Sequence, residues 1–126
     1  CKLDIKFITH SDVSNYYSAA DIVVLPYRKI YQSGVLMMSL SYKKPVIVSD
    51  LPSFKEIIEN NITGYIFQSE NSLDLSRAIN QALDNPKLLE EIKQNGYDLI
   101  ATDYKWEMIG KKTLDAYLKI NYFSKK

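Results

Sequence analysis

The sequence has a single cysteine, Cys1, among its 126 residues. No internal disulfide can form and a cysteine-built zinc cluster is excluded. The thiol content suits a reducing, cytoplasmic setting. Histidine is as scarce, with His10 alone and no second imidazole to share a metal. Excess charge is also lacking. Lys and Arg number 16 against 15 Asp and Glu, a formal net charge of +1, so no global field draws nucleic acid or an anionic membrane. No apolar run approaches the roughly 18 residues of a membrane span, and the opening residues do not read as a signal peptide. The chain has no G-x-G-x-x-G, no P-loop lysine motif and no G-x-S-x-G elbow. Those absences argue against dinucleotide oxidoreductases, nucleoside triphosphatases and serine hydrolases. No cluster of carboxylates offers a metal ligand set, and no metal is expected.

What is present reads as an ordinary folded protein, 46% hydrophobic and 25% charged, of a length that suits one domain over residues 1–126. Strand-like and helical runs alternate. "LDIKFI" (Leu3 to Ile8) has strand character, and its abrupt start suggests a piece of a longer chain. "SDVSNYYSAA" (Ser11 to Ala20) follows as a short helix, with Ser11 as its expected N-cap and Val13, Tyr16 and Tyr17 at helical spacing. "IVVL" (Ile22 to Leu25) and "VIV" (Val46 to Val48) are β-branched runs of the kind that parallel strands buried on both faces require. Between them a loop leads into a helix over about Ser33 to Tyr42, with Val35, Leu36, Met38 and Leu40 available to a core. Lys43-Lys44-Pro45 ends that helix.

"SFKEIIEN" (Ser53 to Asn60) predicts a further helix, opened by a capping box of Ser53 and Glu56. "GYIF" (Gly64 to Phe67) is the last short strand. Beyond it the chain is helical: Ser72 and Asp74 open "LDLSRAINQALD", Pro86 opens "PKLLEEIKQNGYDLIATD", and a final helix aligns Trp106, Ile109, Leu114, Tyr117 and Leu118 on one side. "NIT" at Asn61 to Thr63 matches a glycosylation triplet by chance. Short strands alternating with helices predict an α/β fold, an open parallel sheet between helical layers.

Ligands of such sheets bind beyond the carboxyl ends of the strands. The longest loop there, "PYRKIYQS", runs into "SGVL", where a helix begins. A helix start carries N–H groups without intrahelical partners and the positive end of a dipole, a combination that holds phosphate. Gly34 has no Cβ, so an anion can approach the amides of Gly34, Val35 and Leu36. Ser33 can cap the helix or offer its hydroxyl to the ligand. Arg28 and Lys29 add cations to the loop, and His10 lies on another loop at the same end.

At these residues the sequence resembles a known family. "AADIVVLPY" (Ala19 to Tyr27), the block "SGVL…KKPVIVSD", "EIIENNITGYIF" (Glu56 to Phe67) and the terminal "YKWEMIGKKTLDAY" stand in the order found in retaining glycosyltransferases of group 1, also called family 4. The resemblance implies the Rossmann-like, donor-binding C-terminal domain of the two-domain GT-B fold, present here in part. It implies a hexosyltransferase type of enzyme, in which a nucleotide diphosphate sugar, UDP- or GDP-linked, is substrate and no cofactor is needed. The acceptor, a saccharide or a lipid-linked saccharide, meets the N-terminal domain, so the fragment alone should be inactive. Nucleic acid is not an expected partner. A cytoplasmic location at the inner membrane face, with peripheral association of the longer protein, accords with the resemblance.

Residue by residue, the resemblance assigns the Gly34, Val35 and Leu36 amides to the diphosphate and the Thr9-His10 loop to the nucleotide base. It turns the loop from Tyr27 through Tyr31 to Gln32 toward the transferred sugar. Many members carry glutamates toward the sugar and the ribose where this chain has Tyr31 and Ser39, so donor identity stays open, and no catalytic residue is assigned. Two alternatives remain: a non-catalytic α/β binding module derived from this fold, and a nucleotide-sugar epimerase of related architecture, which the acid-free Tyr31 loop disfavours.

Overall fold

A computed structural model of the chain describes residues 5–123. The element order is α1 (His10–Ala19), β1 (Val23–Leu25), α2 (Gly34–Ser41), β2 (Val46–Ser49), α3 (Pro52–Lys55), β3 (Tyr65–Phe67), α4 (Ser72–Asp84), α5 (Pro86–Asp103) and α6 (Trp106–Phe123). The strands form one three-stranded parallel sheet in the order β1-β2-β3, with Val24 opposite Ile47 and Ile47 opposite Tyr65. Parallel neighbours need crossovers, and α2 and α3 lie in them.

Every residue of the central strand β2 is buried, which explains its unbroken β-branched run. Val46 and Val48 meet Leu36, Leu40, Phe54 and Ile58 on one face of the sheet. On the other, Ile47 joins Tyr65, Phe67, Ala78, Ala82 and Ile92. The polar end of the strand is satisfied, since Ser49 Oγ donates to the Tyr27 carbonyl at 2.7 Å. On the first face α5 crosses α2, and Gly96 lets the two come close: an added Cβ would lie 2.8 Å from Leu40 Cδ2.

Local chemistry sets the helix ends. Asn71 Oδ1 accepts from the Asp74 N–H at 3.0 Å and Asn85 Oδ1 from the Leu88 N–H at 3.1 Å. Each is an asparagine N-cap, the second followed by proline at the first helical position. At the end of α2, Lys43 takes a φ of 54°, while the N–H groups of Lys43 and Lys44 donate to the carbonyls of Leu40 and Ser39. This is a Schellman closure with lysine in the left-handed place usually given to glycine. The Lys43 ammonium lies 4.3 Å from the centroid of the Tyr97 ring.

Several expectations are corrected. Ile5 to Ile8 form no strand, and Ile5 and Phe7 are both 86% exposed. A strand needs a neighbour for its backbone groups, and none pairs with these among the described residues; Leu3 and Asp4 lie outside them. α1 begins at His10 with Thr9 as N-cap, so Ser11 falls inside its first turn. The Ser53–Glu56 capping box does not form. Pro52, with its fixed φ, starts α3 one residue earlier, Leu51 is its N-cap, and the helix ends at Lys55. Val35 and Met38 point outward, leaving Leu36 and Leu40 to the core. The stripe of α6 is not core either: Trp106, Leu114, Tyr117 and Leu118 are all exposed.

Candidate functional site

The loop between β1 and α2 is pinned from beneath through its carbonyl groups. Ser49 Oγ donates to Tyr27 O, and Ser69 Oγ reaches the same oxygen at 3.4 Å. Ser53 Oγ of α3 donates to Ile30 O at 3.2 Å. The Tyr27 ring lies on Phe54, with centroids 5.9 Å apart, and Ile30 packs against the core. With its base fixed in this way, the loop presents its tip outward, and Tyr31 is 96% exposed.

α2 begins directly after the tip. Ser33 is its N-cap, and its Oγ accepts from the Leu36 N–H at 3.1 Å. Of the hydroxyl's two expected roles, the cap is the one realised. That bond occupies one of the amides expected to hold an anion and leaves those of Gly34 and Val35, which have no intrahelical acceptor. A Cβ built on Gly34 meets nothing within 4 Å. The fold therefore places no steric demand for glycine here, and the space where a side chain would stand is open.

That space is a cavity of about 440 Å³. One wall is Tyr31, Gln32, Ser33 and Gly34, with Leu36 and Met37 at its floor. Ser53, Phe54, Glu56 and Ile57, from α3 and the turn after it, line it as well, and so does Tyr104, just past the end of α5. Glu56 is the one carboxylate in the lining.

The other expected site residues lie apart from it. Thr9 and His10 start α1, both exposed, with Thr9 Oγ1 donating to Asp12 Oδ2 at 2.7 Å. α1 touches α2 through Tyr17, whose hydroxyl is 3.3 Å from Ser39 Oγ and whose ring stacks on Tyr42 at 4.7 Å. Ser39 itself is fully buried, and its Oγ donates to Val35 O at 2.7 Å. It has no surface to offer a ribose hydroxyl, because the helical backbone takes its proton from within. Val35 is exposed beside the cavity but does not line it, and Tyr27 is held beneath the loop. Arg28 pairs with Glu70 at 3.1 Å and borders a different, smaller cleft with Phe67 and Leu75. Neither it nor the neighbouring Lys29, both exposed, lines the α2 cavity.

The sequence pointed to the loop tip and the helix start, which line this cavity, and not to the residues that line it from α3 onward. Ser53 and Glu56 carried a visible spacing, which resembled a cap and so concealed their place beside the cavity. Tyr104 had no local signal, since it comes near the loop only through the course of α5.

The family model described as Glycosyl transferases group 1 matches residues 4–99. The chain belongs to this family. Among curated relatives, the alpha-D-kanosaminyltransferase of Streptomyces kanamyceticus is 25% identical over 114 residues, covering 90% of this chain and 30% of that protein. The chain thus spans under a third of that relative's length. Among solved structures, the C-terminal domain of a group 1 glycosyl transferase from Francisella tularensis superposes with a TM-score of 0.72 at 31% identity, covering 81% of this chain and 53% of that one. The HepE protein of Anabaena, solved in complex with UDP, has a TM-score of 0.79 at 16% identity, covering 87% of this chain and 30% of that one. The open parallel sheet with flanking helices is accordingly the Rossmann-like fold of the GT-B glycosyltransferases. Among the described residues no helix is long and apolar enough to cross a membrane.

Proposed function

We propose that the α2 cavity seats the diphosphate and sugar of a nucleotide-sugar donor, in a protein that transfers the sugar to a saccharide or lipid-linked acceptor with retention of configuration. One observation carries this reading. The start of α2, where the Gly34 amide has no intrahelical acceptor, borders a cavity of about 440 Å³, within the size range of small-molecule sites. The structural relative solved with UDP supports a nucleotide donor.

In this reading the amides and the positive end of α2 take up charge on the diphosphate as the glycosidic bond breaks. Donors fixed before the reaction stabilise developing charge at no cost of reorganisation. Tyr31 and Gln32 stand over the transferred sugar, and the pinned loop beneath them keeps their backbone in place for that contact. The Thr9-His10 end of α1 is left for the base. Ser39 is withdrawn from the assignment by its burial. The acceptor site belongs to the rest of the parent protein, which acts in the cytoplasm, peripherally at the inner face of the membrane when the acceptor is lipid-linked.

Calorimetric titration of the full-length protein with UDP, GDP and their sugar conjugates tests this, with Gly34→Val in parallel. Micromolar binding of one nucleotide, lost by at least tenfold in Gly34→Val, is the expected result. A folded protein that binds no nucleotide overturns the proposal and leaves a non-catalytic binding module.

A further inference from the structure

We infer that Glu56 sets the direction of the donor in the α2 cavity, its carboxylate accepting hydrogen bonds from the hydroxyls of the sugar. The inference rests on the reading of the cavity as a nucleotide-sugar site. A sugar presents mainly O–H donors, so a cavity that selects one must supply acceptors aimed inward. Two of the four lining hydroxyls, those of the serines, are already engaged within the protein. Ser33 Oγ accepts from the Leu36 N–H and Ser53 Oγ donates to Ile30 O. Glu56 is the lining carboxylate, exposed, with no ion pair or hydrogen bond to its side chain among the described residues. The adjacent Lys55 turns to Asp50, 3.9 Å away, and leaves it free.

The cavity is therefore polarised. The Gly34 amide at the start of α2 and the Glu56 carboxylate after α3 both border it. A donor laid with its diphosphate on the amides brings neutral hydroxyl groups to Glu56, and these make charge-assisted hydrogen bonds. Laid in reverse, it sets phosphate against carboxylate, where like charges repel. An acidic side chain that the Tyr31 loop lacks is thus supplied from the turn after α3.

The test is a comparison of two affinities in the full-length protein: the preferred nucleotide sugar and the same nucleoside diphosphate without its sugar. Glu56→Gln, isosteric and on the surface, preserves the fold, and a thermal melt verifies it. The expected result is a loss of about tenfold or more for the nucleotide sugar, with the bare diphosphate bound as tightly as before or tighter. Steady-state kinetics should show the donor KM rising while inhibition by the diphosphate is unchanged. Equal losses for both ligands, or no loss for either, overturn the role of Glu56 and leave the nucleotide site standing. If the wild-type protein binds neither ligand, the transferase reading itself has failed.

Discussion

Gly96 of α5 lies so near Leu40 of α2 that an added Cβ would stand 2.8 Å from Leu40 Cδ2 and 3.0 Å from the Thr63 carbonyl oxygen. The second contact is backbone and does not swing aside as a side chain end does. Gly96→Ala should therefore cost about 1–3 kcal/mol, the usual penalty of overpacking, measured by urea unfolding. Gly34 offers the contrast, because its added Cβ meets nothing. Gly34→Ala should hold or slightly raise stability, since alanine favours helix, while nucleotide affinity falls. Equal destabilisation by the two changes would show that Gly34 serves packing and not a ligand.

The Ser33 cap separates stability from binding in another way. Ser33→Ala removes the acceptor for the Leu36 N–H and should cost about 1 kcal/mol, yet it frees a third amide at the cavity, so nucleotide binding should persist. Ser33→Asp keeps the cap and suits the helix dipole, but puts a negative charge beside the proposed diphosphate. Its stability should stay within about 0.5 kcal/mol of wild type while nucleotide affinity drops at least tenfold. If Ser33→Asp binds nucleotide normally, the diphosphate does not lie at this helix start.

Tyr65 presents the opposite problem, a polar atom in a dry place. Its ring is 1% exposed between β3 and the α4–α5 layer, and its hydroxyl has no hydrogen-bond partner among the described residues. Burial pushes its phenol pKa up. Tyr65→Phe removes an unsatisfied group at constant shape and should raise stability by up to about 1 kcal/mol. The pH dependence follows from the sign of the shift. A phenol harder to ionise when folded contributes its full stability below the unfolded value, about 10, and loses it as pH climbs through the raised folded value. The alkaline fall in stability should be shallower in Tyr65→Phe, and an unchanged alkaline limb would show the hydroxyl to be solvated.

Much of this structure was legible where local chemistry and burial agree. "VIV" reads as a buried strand because β2 has core on both faces, and α5 starts where Pro86 predicts. The β1–α2 junction showed itself through Ser33-Gly34, a cap followed by a residue with nothing to pack. Some failures were local, as where Pro52 displaced the expected cap at Ser53, but others depended on a neighbour the sequence does not name. Ile5 to Ile8 have the composition of a strand without a paired strand, and α6 has an apolar stripe that α5 does not cover. Glu56 and Tyr104 reach the cavity through the turn after α3 and the end of α5, which no periodicity relates to Gly34.

A last prediction concerns the join between β3 and α4. Asp74 accepts from the Arg77 Nε–H at 2.7 Å and the Gln68 N–H at 2.6 Å. The hydrogen bond from Arg77, helped by that of the Gln68 amide, holds its carboxyl below the usual carboxylate range. A depressed carboxylate contributes stability above the unfolded pKa, about 3.9, and loses it as pH falls through the lower folded value. Asp74→Asn should thus be less stable than wild type at neutral pH, with the gap closing below about pH 4. Urea midpoints of both proteins across that range measure it. A gap that stays constant into acid would place the contribution of Asp74 in its neutral hydrogen bonds and not in its charge. Because Asp74 lies on α4, away from the α2 cavity, nucleotide affinity at neutral pH should be the same in both proteins. The comparison therefore also shows whether loss of stability alone, without a change at the cavity, disturbs binding.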